Sequence, residues 1–148
     1  MKISKKCQYA LKSVFELAWR NSSKPIKIHE ISDAQRMSPR FTEIILNELK
    51  HGGFVESKRG NEGGYMLARD AKDLTIREVF EYVQGRISTA PDSSKTGVNA
   101  DSAGDEAFKE LWEAIDNAVC EVCDKKSFAD LVKSEREKRK QSPFNYCI

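Results

Sequence analysis

The sequence predicts a mainly α-helical protein with one small β-hairpin and a long helix in its second half. Three observations predict it. Apolar residues recur at spacings of three and four along most of the chain, the period of a helix with one buried face. One glycine-rich stretch, Arg59-Gly60-Asn61-Glu62-Gly63-Gly64, separates two short strand-like runs, Phe54–Lys58 and Tyr65–Leu67. A later run, about Asp105–Cys123, carries Phe108, Leu111, Trp112, Ile115, Val119 and Val122 as one apolar stripe.

Each remaining element has a local reason. Ser4 can cap a first helix running to about Asn21, with Ala10, Leu11, Val14, Phe15, Ala18 and Trp19 on one face. Asn21–Pro25 breaks it. A short helix at about Ile28–Ala34 turns Ile28 and Ile31 inward, although Lys27 is a poor N-cap. Ser38-Pro39 opens a third helix, because proline at the first helical position forfeits no needed N–H. Gly52-Gly53 ends it. Thr75-Ile76-Arg77-Glu78 is a capping box opening a helix to about Val83 or Gln84. Ser127 caps a last helix with Phe128, Leu131 and Val132 apolar, and the charged run Lys133–Lys140 is expected to fray.

Two short helices, a tight turn and a hairpin make a winged helix-turn-helix domain, followed by a long helix suited to dimerisation. The expected organisation is 1–84 winged domain, 85–104 flexible loop, 105–140 helical dimerisation region and 141–148 tail. The chain of 148 residues is 39% hydrophobic and 32% charged, enough to build a core. No apolar run approaches the roughly 18 residues of a membrane helix, and the basic start is not signal-like. A cytoplasmic location and no membrane partner are therefore expected. Four cysteines, Cys7, Cys120, Cys123 and Cys147, do not read as a disulfide scaffold in that setting.

Charge is distributed unevenly. Residues 1–70 hold 13 Lys and Arg against 8 Asp and Glu, while residues 71–148 hold 12 against 15. The basic first half suits an anionic partner. A helix fits the major groove of double-stranded DNA, and its first residues reach base edges. Those residues are Ser38, Pro39, Arg40, Phe41, Thr42 and Glu43. Arg40 can donate two bonds to guanine, Glu43 can accept from cytosine, and Phe41 can touch a thymine methyl. Arg59 leads a hairpin tip slim enough for the minor groove. Lys2, Lys5, Lys6, Lys12 and Tyr9 can hold phosphates. The bland alternative is that Arg40 and Glu43 only pair with each other on a solvated face.

The quoted elements resemble a known family. Its carriers are Met1-Lys2-Ile3-Ser4, Tyr9-Ala10-Leu11, Ile31, Ser38, Glu43–Lys50 and Gly53-Phe54-Val55. The strongest is Arg59–Ala68, joined by Leu74–Val79, Val83-Gln84-Gly85, Leu111-Trp112 and Ser127–Val132. Over about residues 1–133 the chain resembles the Rrf-type bacterial winged-helix transcription regulators, the group of IscR-, NsrR- and CymR-like proteins. The resemblance implies a homodimer whose long helix crosses to its partner, here through Phe108, Leu111, Trp112, Ile115 and Val119. It implies DNA contacts from Ser38, Arg40, Phe41, Glu43 and Arg59. Thr42 and Ile44 depart from the family's leucine and glutamine.

The same resemblance implies an iron–sulfur cluster on three loop cysteines in many members. Here the loop Gly85–Gly104 holds no cysteine or histidine, so no cofactor is predicted. Cys120-Glu121-Val122-Cys123 with Cys7 could serve thiol oxidation or metal binding, or pack as small hydrophobes. Cys7, near a helix start and beside Lys5 and Lys6, is expected to be the more reactive thiol. A structural zinc site wants four ligands, so no metal site is assigned.

No catalytic residues are assigned, and His29 and His51 read as surface residues. The main expectation is a sequence-specific, dimeric DNA-binding regulator, a repressor, on a pseudo-palindromic operator. A regulatory protein partner is a further expectation. The alternatives are a thiol- or metal-responsive sensor using Cys7, Cys120 and Cys123, and a protein-interaction module that kept the fold but lost DNA binding. The remotest is a Cys-x-x-Cys oxidoreductase, which lacks the expected βαβ context.

Overall fold

The computed structural model describes residues 1–91 and 102–142. The first helix, α1, spans Lys5–Arg20. Ser4 caps it as expected, its Oγ accepting from the Cys7 N–H at 3.1 Å. Helix α2 spans Ile28–Gln35. Its poor N-cap is offset by Glu30, whose carboxylate accepts from the Lys27 N–H at 3.2 Å. Helix α3 spans Pro39–His51 behind the Ser38 cap. At its end Gly53 takes the left-handed conformation (φ +76°).

Strands β1, Val55–Lys58, and β2, Gly64–Leu67, form the antiparallel wing, with Val55 opposite Leu67 and Lys58 opposite Gly64. A third piece joins it. Ile26 exchanges two main-chain hydrogen bonds with Tyr65, each 2.8 Å. Gly64 passes so close beneath that a Cβ there would stand 2.4 Å from the Ile26 carbonyl oxygen. That approach, with φ +149°, requires glycine.

Helix α4 spans Ile76–Gln84, opened by the Thr75–Glu78 capping box. Helix α5 spans Asp105–Asp124 and α6 spans Phe128–Gln141. Among the described residues no helix is long and apolar enough to cross a membrane.

Helix α1 runs through the middle of the molecule and packs against α2, α3, α4 and α6. The core around it joins Val14, Ile31, Ile45, Leu46, Leu74 and Val79, all at most 1% exposed. Phe128 belongs to the same core and is fully buried. The region read as one dimerisation unit, 105–140, therefore divides. Helix α6 docks on the winged domain, while α5 has no buried residue. Among the described residues the second half of α5, from Asp116 on, is the part tied down. There Arg77 pairs with Asp124 at 2.6 Å, and the Ile76 N–H donates to the Lys126 carbonyl at 2.9 Å.

Two sequence expectations change. The run Lys133–Lys140 does not fray but stays helical to Gln141. The guanidinium groups of Arg136 and Arg139 each lie 4.9 Å from the Trp19 ring, and Arg136 donates to the Trp19 carbonyl at 3.0 Å. The start of the expected flexible loop is also fixed. Ile87 is 3% exposed, and Thr89 donates both its N–H and its hydroxyl to Asp116, at 2.6 and 2.7 Å. The rest of the loop, 92–101, lies outside the described residues, as do 143–148 of the expected tail and with them Cys147.

Candidate nucleic-acid interface

Helix α3 has two unlike faces. Thr42, Ile45, Leu46 and Leu49 point into the core and are at most 1% exposed. Arg40, Glu43, Ile44 and Asn47 are exposed, and their spacing of three, four and seven sets them on one face. Among the described residues neither Arg40 nor Glu43 forms an ion pair, so they do not simply neutralise each other.

The start of α3 is held by α1. The Ser38 N–H donates to the Tyr9 hydroxyl at 3.2 Å, and the Tyr9 and Phe41 rings meet edge-on at 4.9 Å. Ser38 also caps the helix, its Oγ accepting from the Phe41 N–H, and its carbonyl accepts from the Thr42 hydroxyl at 2.8 Å. This revises one expectation and gives two other residues a second role. Thr42 is fully buried and cannot reach a base. Phe41 and Tyr9 are half-buried against the core. Their rings brace the helix, and the Tyr9 hydroxyl, accepting from Ser38, keeps its own proton to donate.

The wing stands beside the far end of α3. Tyr65 donates its hydroxyl to Asn47 Oδ1 at 3.1 Å, joining β2 to α3. Burial, and then the nearby Glu43 carboxylate, push the Tyr65 phenol above its ordinary pKa, so it stays a donor at neutral pH. Arg59 is exposed at the tip, where Gly60 takes φ +103°. Lys27, Asn47, Lys50, Lys58 and Asn61 line the cleft between wing and helix. The sequence reading missed this cleft. The i, i+7 relation of Asn47 to Arg40 was its one available signal. Lys5 is exposed, 5.8 Å from the Tyr9 ring centroid. Lys6 is committed elsewhere, pairing with Glu48 at 2.8 Å.

The comparisons with known proteins agree with this architecture. The family Rrf2, described as iron-dependent transcriptional regulators, matches residues 3–134. This chain belongs to the Rrf2 family. CymR of Bacillus subtilis is 31% identical over 131 residues, covering 88% of this chain and 89% of that one. IscR of Cereibacter sphaeroides is 28% identical over 138 residues, covering 91% and 89%. The solved structure of CymR, titled the global cysteine regulator of B. subtilis, superposes with a TM-score of 0.78 at 30% identity, over 90% of this chain and 98% of that one. T. potens IscR superposes at 0.76 with 27% identity, over 99% and 95%. The Rrf2 chain described here is thus a transcriptional regulator of winged-helix fold.

Rrf2 membership raises the question of iron. An iron–sulfur cluster needs cysteine or histidine ligands, and the segment 85–104 of this Rrf2 protein supplies none. Among the described residues no group of three or more His, Cys, Asp or Glu side chains could hold a metal. The donors do not fit the loop cluster. The cysteines are nonetheless gathered in space. Cys7 forms a small buried cluster with Phe80 and Ile87, and Val119, Cys120 and Cys123 pack against it. Val119, expected on the dimer stripe, thus faces inward.

Burial overturns the ranking of the thiols. Cys7 is fully buried, and desolvation raises its pKa despite the neighbouring lysines. Cys123 is also raised, by burial first and then by Cys120 and the Asp124 charge. Alkylation of the native protein is expected to leave Cys7 intact while Cys120 and Cys123 react slowly. Mass spectrometry of labelled peptides checks this, and modification of Cys7 in native protein at the rate of denatured protein would contradict it.

Proposed function

We propose that this protein acts as a homodimer, reading a pseudo-palindromic DNA operator with two copies of α3 and the wing. The observation that carries the reading is the exposed Arg40–Glu43 face of α3 beside the exposed Arg59 tip. A helix start at that width suits base edges in the major groove, and a slim arginine-led hairpin suits the adjacent minor groove. Arg40 and Glu43 specify bases, Lys5 holds a phosphate, and Ser38 sets the helix start. Phe108, Leu111, Trp112 and Ile115 form the seam between subunits, and two subunits on a two-fold axis match a palindrome.

The protein works in the cytoplasm as a repressor rather than as an enzyme, and without a cluster in the segment 85–104. A thiol-responsive variant of this reading has one observation in its favour: Cys120 and Cys123 sit where α5 leaves the winged domain, packed against the Ile87 cluster.

Selection of bound duplexes from a random pool is expected to enrich one palindromic motif; a pool that yields none overturns the proposal. On the selected site, Arg40→Ala and Glu43→Ala should each cost about 1–3 kcal/mol and relax preference at one base position. Lys5→Ala should weaken all sequences alike and lower the salt slope by about one. The same response from all three variants would show that the roles are wrongly divided.

A further inference from the structure

The exposed face of α3 carries one residue that neither packing nor charge explains. Ile44 is 52% exposed, while the other residues of that face, Arg40, Glu43 and Asn47, are polar. Exposed isoleucines elsewhere on a protein need no explanation. This one lies at the centre of the surface assigned above to base contact. It stands directly after Glu43 and one turn beyond Arg40, so an α3 lying in the groove would carry it onto the floor. The floor of the major groove offers one apolar group, the C5-methyl of thymine.

We propose that Ile44 is a specificity-determining residue that packs on a thymine methyl of the operator. The proposal rests on the DNA-binding reading and adds a base to it. Phe41 was the residue first expected to do this, but its ring is held against Tyr9. Ile44 is free to do so, since its side chain is not part of the core cluster. Geometry also limits where the thymine lies. Residues four apart on a helix are about 5–6 Å apart at Cβ, and successive base pairs rise about 3.4 Å. The thymine therefore falls one or two base pairs from the position at which Arg40→Ala relaxes preference.

Replacing thymine by deoxyuridine deletes only the methyl group and keeps every hydrogen-bonding edge. Each thymine of the selected operator is replaced in turn, and affinity is measured with the wild type, Ile44→Val and Ile44→Ser. The side chain is exposed, so both variants are expected to fold, and their unfolding midpoints verify it. One thymine in each half-site should be sensitive, and each single uracil there should cost the wild type about fourfold, the equivalent of burying one methyl. Ile44→Val should keep most of that discrimination and Ile44→Ser should lose it. A motif with no uracil-sensitive thymine within two base pairs of the Arg40 position overturns the inference and leaves the DNA-binding reading standing. So does a uracil effect that persists unchanged in Ile44→Ser. A pool that enriches no motif overturns both.

Discussion

Leu111→Glu is expected to give a well-folded monomer whose affinity for the full operator has fallen by two orders of magnitude or more. Within one chain Leu111 is 47% exposed and Phe108 57% exposed, while the Phe108 and Trp112 rings lie parallel with centroids 6.4 Å apart. That much apolar surface on one free helix is a sign of a missing partner. A glutamate there should cost the single chain little, because among the described residues the side chain stays about half exposed. In the seam it places a charge in an apolar contact, which is paid for only by separating the subunits. Two tethered half-site contacts gain about 10²–10⁴ over one, and the monomer forfeits that factor. Affinity for an isolated half-site should barely change. Sedimentation at micromolar concentration and titration of full and half operators measure both effects. A wild type that sediments as a monomer would remove the basis for the prediction. Ile115 is a poorer choice of position, since it is half-buried in the single chain.

Phe128→Ala is expected to cost about 3–5 kcal/mol of folding stability, the usual loss for a fully buried aromatic ring. Domains of ordinary stability have about 5–15 kcal/mol in all, so this variant should approach its unfolding threshold. The reason is where the ring sits. It is carried by α6 but fully buried in the core beneath α1, and the Phe128 N–H donates to the Leu74 carbonyl at 3.0 Å. Urea unfolding should show one transition with a lowered midpoint. A loss under about 1 kcal/mol would mean that α6 is an appendage. The winged domain would then end near residue 84, as its sequence suggests.

What the sequence disclosed is what neighbouring residues decide among themselves. The caps at Ser4, Ser38, Thr75 and Ser127 are local hydrogen bonds three residues long, and all four are present. The glycine hairpin is likewise set by backbone conformations that only glycine adopts readily. Contacts between distant residues were not legible. Lys5 and Lys6 suggested an activated Cys7, but α4 and the segment after it cover the thiol through Phe80 and Ile87. Phe41 gave no hint that its ring meets the edge of Tyr9, 32 positions earlier in the chain. The charged end of α6 gave no hint of Trp19, more than a hundred residues away. At the proposed site, the exposure of Arg40, Glu43 and Arg59 was legible because it depends on no distant partner. Asn47 was missed because its hydrogen bond comes from the wing.

The wing is fastened twice, to Ile26 by a pair of main-chain bonds and to α3 by the Tyr65–Asn47 bond. It cannot swing independently of the helix beside it. On the proposed reading, the interval between the bases met by α3 and the stretch met by Arg59 is then a ruler cut into the protein. An operator must match that interval within each half. One inserted base pair turns the next stretch of duplex by about 36° and shifts it by about 3.4 Å. A hinged wing could follow such a displacement, and this one must let go of one groove to keep the other.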